Sequence, residues 1–148
     1  MALTGTWCDI MYKAPRAPAI AELTWSGTPS AASFTYSFSV DQQTSNFLTI
    51  TNNTDINLSR GHYYAIAYPD YTRASSGTNN VNYWFIDGVQ VGMRGGSDHY
   101  ASESTDNAEA AFTVTASTKI LTLRQTAWSG SALTLTSHCK AFIWRVDL

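Results

Sequence analysis

The chain has 148 residues, enough for one domain with a substantial core. Charged residues make up only 14%, aromatic residues 13%, and the net charge is −2, which excludes the basic surface that nucleic-acid binding needs. No run approaches the ~18 apolar residues of a membrane span, so no membrane insertion is expected.

Ser and Thr together supply about a quarter of the chain, well above ordinary globular usage. Low charge with many Thr, Ser, Tyr and Trp is the composition of β-sheet proteins with hydroxyl-rich surfaces, which suit assembly or sugar contact. The opening MALTGTWCDI has neither a basic n-region nor an apolar h-region, so a Sec signal is not expected.

The elements follow in chain order. Thr4 to Tyr12 reads as a first strand, with Trp7, Ile10 and Tyr12. Lys13 to Ala21 contains Pro15 and Pro18, which forbid a central strand, so an extended crossing loop or an edge is expected there. Residues 1–20 thus form an N-terminal strand and proline-containing arm of the same domain, and 21–148 form the domain body. Glu22 to Ser26 is short and strand-like, and Gly27 to Ser30 is a turn. Phe34, Tyr36, Phe38 and Val40 then alternate with Thr35, Ser37 and Ser39. That clean period of two predicts one strand with one dry face.

Phe47, Leu48 and Ile50 make another strand, ended by Asn52-Asn53-Thr54-Asp55. Leu58 to Tyr68 is the strand that stands out. Tyr64, Ile66 and Tyr68 point one way; Tyr63, Ala65 and Ala67 point the other. Neither set is polar, so the strand needs cover on both faces. One cover is the domain's own core. The other is a second layer, a ligand or another subunit, and the pattern leaves open which face takes which.

Asp70 to Asn80 reads as a long polar loop. Val81 to Met93 is a β-hairpin about the Asp87-Gly88 turn. Gly95 to Asn107 is a second polar loop. Phe112 and Val114, then Ile120 to Leu123, are short strands, and Trp128 to Ser131 is a turn. The last strand sets Phe142, Trp144, Val146 and Leu148 on one face, against Ala141, Ile143, Arg145 and Asp147. By phase, Trp84 and Trp144 are assigned to the core. No segment sustains a helical period. About nine or ten short strands at fairly regular spacing predict an all-β sandwich or barrel.

Chemistry is thin. His62, His99 and His138 show no metal or catalytic spacing. Asp98, His99, Glu103 and Asp106 gather ligand-type groups in one loop, but the spacing fits no calcium loop, and a solvated loop is preferred. Glu22, Glu103 and Glu109 sit in no paired-acid motif. Neither an enzyme activity, nor a cofactor, nor a metal is expected. Tyr71, Tyr83, Asp98, His99 and Trp128 remain as candidate contacts for a ligand or partner, since exposed rings stack on sugars or anchor interfaces.

Several stretches together resemble a known family. Gly61-His62-Tyr63-Tyr64 opens a central strand. Ile86-Asp87-Gly88-Val89 is a hairpin with a turn glycine. Lys119-Ile120-Leu121-Thr122-Leu123 is a late strand, and Ser137 to Trp144 leads into a hydrophobic last strand. In order and spacing, from Phe34 to Leu148, they resemble the jelly roll shared by tumour necrosis factor and the globular head of complement. The resemblance implies a jelly-roll β-sandwich and an obligate homotrimer. It places the first, last and central strands in one sheet facing the three-fold axis. Tyr63, Tyr64, Ala65, Ile66 and Tyr68 then supply the trimer interface. It also sets the first strand beside the last, which makes a Cys8–Cys139 disulfide geometrically possible.

A jelly roll with no secretion signal and much Ser and Thr looks like the small virion proteins of tailed phages, an analogy of fold. On that reading the chain is a trimeric capsid decoration protein. It is assembled in the host cytoplasm, displayed on the virion surface and bound to the major capsid protein, with residues 1–20 as an arm. One alternative is a receptor-binding fibre or spike tip that recognises host surface glycan. Another is a secreted trimeric signalling ligand.

Overall fold

The computed structural model describes residues 18–28, 33–72, 79–98, 104–115, 118–129, 134–135 and 138–146. The strands are β1 (Ala19–Ser26), β2 (Phe34–Thr35), β3 (Ser37–Gln43), β4 (Leu48–Thr51), β5 (Asp55–Leu58), β6 (Gly61–Tyr68) and β7 (Tyr71–Thr72). They continue with β8 (Asn79–Ile86), β9 (Val89–Asp98), β10 (Ser104–Asp106), β11 (Ala108–Val114), β12 (Lys119–Ser129), β13 (Thr134–Leu135) and β14 (Lys140–Val146). Every pairing is antiparallel.

One layer runs β3-β1-β14-β6-β11 and the other runs β9-β8-β12-β5-β4, with β10 on β9 and β2 on β12. A single pairing, Glu109 with Met93, joins β11 to β9 and links the two layers. The strands β13 and β7 form a separate small pair. This is the expected jelly-roll sandwich. Strand β6 lies between β14 and β11, and β1 lies on the far side of β14, so the first described strand shares a sheet with the last and central ones.

The core fills the space between the layers. Tyr63, Ala65 and Ala67 face it from β6, Ala141 and Ile143 from β14, and Leu121 and Leu123 from β12. Trp84 is fully buried, stacks on Phe38 at 6.0 Å, and donates its indole N–H to the Ala108 carbonyl across the layers at 2.9 Å. Trp25 likewise donates to the Lys140 carbonyl at 3.0 Å. Buried indoles need such partners.

Several elements differ from the sequence expectation. Ala19, Ile20 and Ala21 are not loop: all three pair with β14, and Ala21 also pairs with Gln43 of β3. The prolines at 15 and 18 precede this stretch, and nothing after Pro18 blocks the ladder. The expected strand Thr4–Tyr12 lies outside the described residues. The Phe34–Val40 strand breaks at Tyr36: β2 pairs with β12 in one layer, whereas β3 pairs with β1 in the other. The period of two survives this crossing because Tyr36 and Phe38 both stay buried, while Val40 emerges. Trp128 is not in a turn but at the end of β12, opposite Asn80. The two polar loops are shorter than expected because β8 begins at Asn79 and β9 extends to Asp98. The Asp87-Gly88 hairpin is present as predicted. Asp87, at φ 46°, accepts the Ile120 N–H at 2.9 Å and pairs with Lys119, and both contacts hold its carboxyl below the usual range.

Glycine is required where β9 passes from one layer to the other. Gly92 has φ +75°, and a Cβ there would overlap the Glu109 carbonyl oxygen and Ala110. Gly92→Ala is therefore expected to lower stability by at least the ~1–3 kcal/mol of left-handed strain. A urea midpoint equal to that of the parent protein would refute this account of the crossing.

Candidate functional site

The alternation of β6 resolves into two unlike faces. Tyr63, Ala65 and Ala67 are 3%, 0% and 1% exposed and belong to the core. Tyr63 stacks on Phe112 at 5.6 Å and donates its hydroxyl to the Ser59 carbonyl at 2.7 Å. Tyr64, Ile66 and Tyr68 point away from the second layer. Ile66 is buried yet stands outside the core cluster, so its cover comes from neighbours on the outer side.

Those neighbours follow from register. Trp144 of β14 lies opposite Tyr64, Phe142 opposite Ile66, and Lys140 opposite Tyr68. Beyond them, Ile20 of β1 lies opposite Trp144 and Glu22 opposite Phe142. On the other flank Ala111 and Glu109 of β11 face Tyr64 and Ile66. The rings form a continuous stripe: Tyr68 to Phe142 at 5.9 Å, Phe142 to Trp144 at 5.8 Å and Trp144 to Tyr64 at 5.5 Å. Tyr68 and Val146 at the two ends are 40% and 41% exposed. Trp144 is thus not a core residue but half-buried on the outer face. Its phase in β14 is shared with Phe142, while Ala141 and Ile143 take the core side.

The charged groups described around the stripe hold polar partners. The Lys140 ammonium donates to Asp41 and lies 3.1 Å from Glu22. Thr24 donates to Asp41 at 2.7 Å and Gln42 donates to Glu22 at 2.8 Å. The amide of Gln42, then Lys140, holds the Glu22 carboxyl below its ordinary range. Lys140 and then Thr24 do the same for Asp41, and the two acids raise Lys140 in turn. At the opposite flank the Tyr64 hydroxyl donates to Glu109 Oε2 at 2.7 Å. That bond, then burial and the Glu109 charge, push the Tyr64 phenol up to about 12. At one end of the face, His62 Nδ1 lies 3.0 Å from Thr113 Oγ1.

No protein-family model and no curated protein sequence matches the chain. Solved structures do. Crystal structures of murine APRIL at pH 8.0 and at pH 8.5 each superpose with a TM-score of 0.60 at 10% identity, covering 88% of this chain and all of theirs. A third, at pH 5.0, gives 0.59 at 11% identity with the same coverage. The likeness shows the fold: a jelly-roll β-sandwich that matches the fold of these structures.

Of the remaining candidates, Trp128 and Asp98 lie on the two strands that flank the start of β8, opposite Asn80 and Asn79. Tyr83 is half-buried in β8 of the second layer, opposite Arg124, whose guanidinium lies 4.9 Å over the Phe85 ring. Of Tyr71, Asp98 and Trp128 only the backbone is described, in β7, β9 and β12, and His99 lies outside the described residues. Cys139 is buried, with its sulfur 3.2 Å from the Asp70 nitrogen and 3.1 Å from the Asp70 oxygen. Cys8, and so the expected pairing, lies outside the described residues. Among the described residues, no three His, Cys, Asp or Glu side chains converge to hold a metal.

Of the residues that the resemblance assigned to an interface, Tyr64, Ile66 and Tyr68 lie on the outer face, while Tyr63 and Ala65 lie in the core. Sequence reasoning did not set Ile20, Phe142, Trp144 and Glu109 beside the first three. The alternation of Phe142, Trp144 and Val146 was a visible signal, but alternation alone does not say which face is inward.

The Tyr64–Glu109 bond carries a pH signature. A raised phenol pKa means that the neutral form is favoured on folding. Its contribution is complete below the ordinary tyrosine value of about 10. It is lost as pH rises through about 12. The stability difference between the parent and Tyr64→Phe should therefore be constant at neutral pH and shrink across that alkaline window. A difference that is flat to the top of the window, or that shrinks in acid instead, contradicts the assignment.

Proposed function

We propose that the protein acts as a homotrimer, in which the outer face of β1, β14, β6 and β11 is the contact between copies. The carrying observation is the aromatic stripe from Tyr68 to Tyr64 on the outer face of this sheet, over which no second layer lies among the described residues. Large apolar patches of this kind mark association surfaces, and aromatic rings dominate their energetics. A three-fold arrangement uses one such face per copy and displays the second layer and the loops outward.

The outward display suits a binding protein rather than an enzyme. We read it as a trimeric recognition protein that engages a macromolecular partner at three equivalent sites, so that weak single contacts add through avidity. The likeness to murine APRIL, a trimeric ligand of the tumour necrosis factor superfamily, supports an extracellular ligand of that type. A second reading, capsid decoration on a virion surface, has its own support in composition. Only 14% of the residues are charged, and this favours lasting attachment to a larger assembly over free diffusion. The glycan-binding tip stays the third, resting on Trp128 and its neighbouring loops.

Light scattering on the purified chain tests the shared core of these readings: the mass should be three times 16.2 kDa. Tyr68→Asp and Val146→Asp change exposed positions and should yield folded monomers. Ala65→Asp puts an unpaired charge into the core, at several kcal/mol. That is a large part of an ordinary stability of ~5–15 kcal/mol, so it should unfold the chain. A monomeric parent protein, or a trimer indifferent to both surface charges, would remove the proposal. The partner is then separated by binding to empty capsids, by a glycan array with Trp128→Ala as control, and by capture on cell-surface receptor ectodomains.

A further inference from the structure

The outer face of the second layer carries a guanidinium without a counter-charge. Leu121, Leu123 and Gln125 of β12 point inward and are buried, so Thr122 and Arg124 point outward. By register Arg124 lies opposite Tyr83 of β8 on one flank and Thr35 of β2 on the other, and Thr122 lies opposite Phe85. The Arg124 guanidinium leans over the Phe85 ring at 4.9 Å, and its Nε donates to the Thr122 hydroxyl at 3.0 Å. Thr122 is only 4% exposed despite its outward position, because these side chains cover it.

Among the described residues Arg124 makes no ion pair. Asp87 is taken by Lys119, and Asp55 by Asn52 and Thr54 of its own turn. Of the outward residues of β8 and β12, Arg124 is the only charged one. The Tyr83 hydroxyl, one strand away, has no hydrogen-bond partner among the described residues. A guanidinium carries five N–H donors in a rigid fork. Thr122 takes the one on Nε, which leaves the pair of terminal nitrogens to meet two carboxylate oxygens side by side. The ring beneath and the Nε bond hold the fork in place, so little freedom is lost when an anion arrives.

We propose that Arg124 and Tyr83 form the seat of a terminal acidic sugar, a pyranose with one carboxylate, of the sialic acid kind. The carboxylate is held end-on by Nη1 and Nη2 of Arg124, and the apolar face of the sugar lies on the Tyr83 ring. The surroundings select this ligand among anions. One cation matches a singly charged chain end, whereas a polyanion needs a row of cations. An extended peptide needs an open strand edge, and β8 and β12 are paired on both sides. The inference rests on the glycan reading, to which it gives a ligand class and a seat on the sheet, and it does not depend on the trimer.

The probe is the methyl glycoside of N-acetylneuraminic acid, titrated into the isotope-labelled full chain and followed by amide NMR shifts. We expect a dissociation constant on the order of 1 mM, with the shifts centred on Tyr83, Phe85, Thr122 and Arg124. The carboxamide of the same glycoside should not bind. Arg124→Lys keeps the charge and loses the fork, and should weaken binding about tenfold or more. The shift map needs no variant, so it decides the matter even if Arg124→Lys fails to fold. No shifts at about ten times that concentration, equal binding of the carboxamide, shifts centred elsewhere, or undiminished binding by folded Arg124→Lys each overturn the proposal. So does binding of a sulfated oligosaccharide in place of the carboxylated sugar. Binding that Trp128→Ala abolishes and Arg124→Lys leaves intact overturns this seat and keeps the glycan reading. A glycan array with no hit overturns both.

Discussion

Strand β6 has no polar side, and side chains in a strand alternate between two faces. Both faces must therefore leave water. The molecule meets half of this requirement internally. Ala65 and Ala67 pair in register with Ala110 and Ala108 of β11 and with Ile143 and Ala141 of β14, which keeps the inner surface of this layer low. The low surface lets the Trp84 indole come close enough to bond the Ala108 carbonyl from the opposite layer. A larger residue at these alanine positions would hold the layers apart. The small residues inside and the rings outside are thus two parts of one arrangement. Packing volume is spent on Trp84 and Phe38 inward, and the aromatic bulk of Tyr64, Tyr68, Phe142 and Trp144 is left on the outside.

The other structural demand is moving the chain between layers without leaving polar backbone unmet. Tyr36 does this at the first crossing. Its ring packs edge-on against Trp25 at 4.7 Å, its N–H reaches the Leu123 carbonyl, and its hydroxyl donates to Asn82 at 2.9 Å with Gln125 3.3 Å away. Asn80, Asn82 and Gln125 are buried around it, and Asn80 donates to Gln125 at 3.4 Å. This buried polar cluster fixes where β2 gives way to β3. The glycines of β9 serve the second crossing, where the backbone of β9 runs against that of β11 and β8. Crossings that are fixed in this way hold the strand order, and the strand order brings β14 and β6 together.

How much of this was legible in the sequence depends on the range over which each signal acts. The Asp87-Gly88 hairpin was legible because the turn and both strands are local. The sandwich was legible from strand spacing, and the jelly roll from the order of Gly61, Gly88, Lys119 and Ser137 motifs. The break at Tyr36 was not, because inward residues keep their period of two straight through it and only the hydrogen-bond partners change. Trp144 went to the core because both faces of β14 are apolar, and the deciding fact, that Ala141 and Ile143 match the small residues of β6, is a matter of register. The Lys140 cluster joins three strands far apart in the chain, so no spacing rule points to it. Glu22 to Ser26 was read as a strand, but its extension back to Ala19 was hidden by the prolines just before it.

The chemistry of the outer face bears on what that face is for. A surface adapted to water carries charges that owe nothing to each other. Here Glu109 already holds the Tyr64 hydroxyl, Glu22 and Asp41 hold Lys140, and Gln42 and Thr24 complete their shells. Burying a charged group that keeps its hydrogen bonds costs far less than burying a bare one. In solvent such pairs add little to stability, so their value lies elsewhere. They are arranged around a stripe of rings whose burial would take them out of water as well. A face whose charged groups already hold hydrogen bonds of their own can be covered by another copy with a smaller desolvation penalty than a face of bare charges.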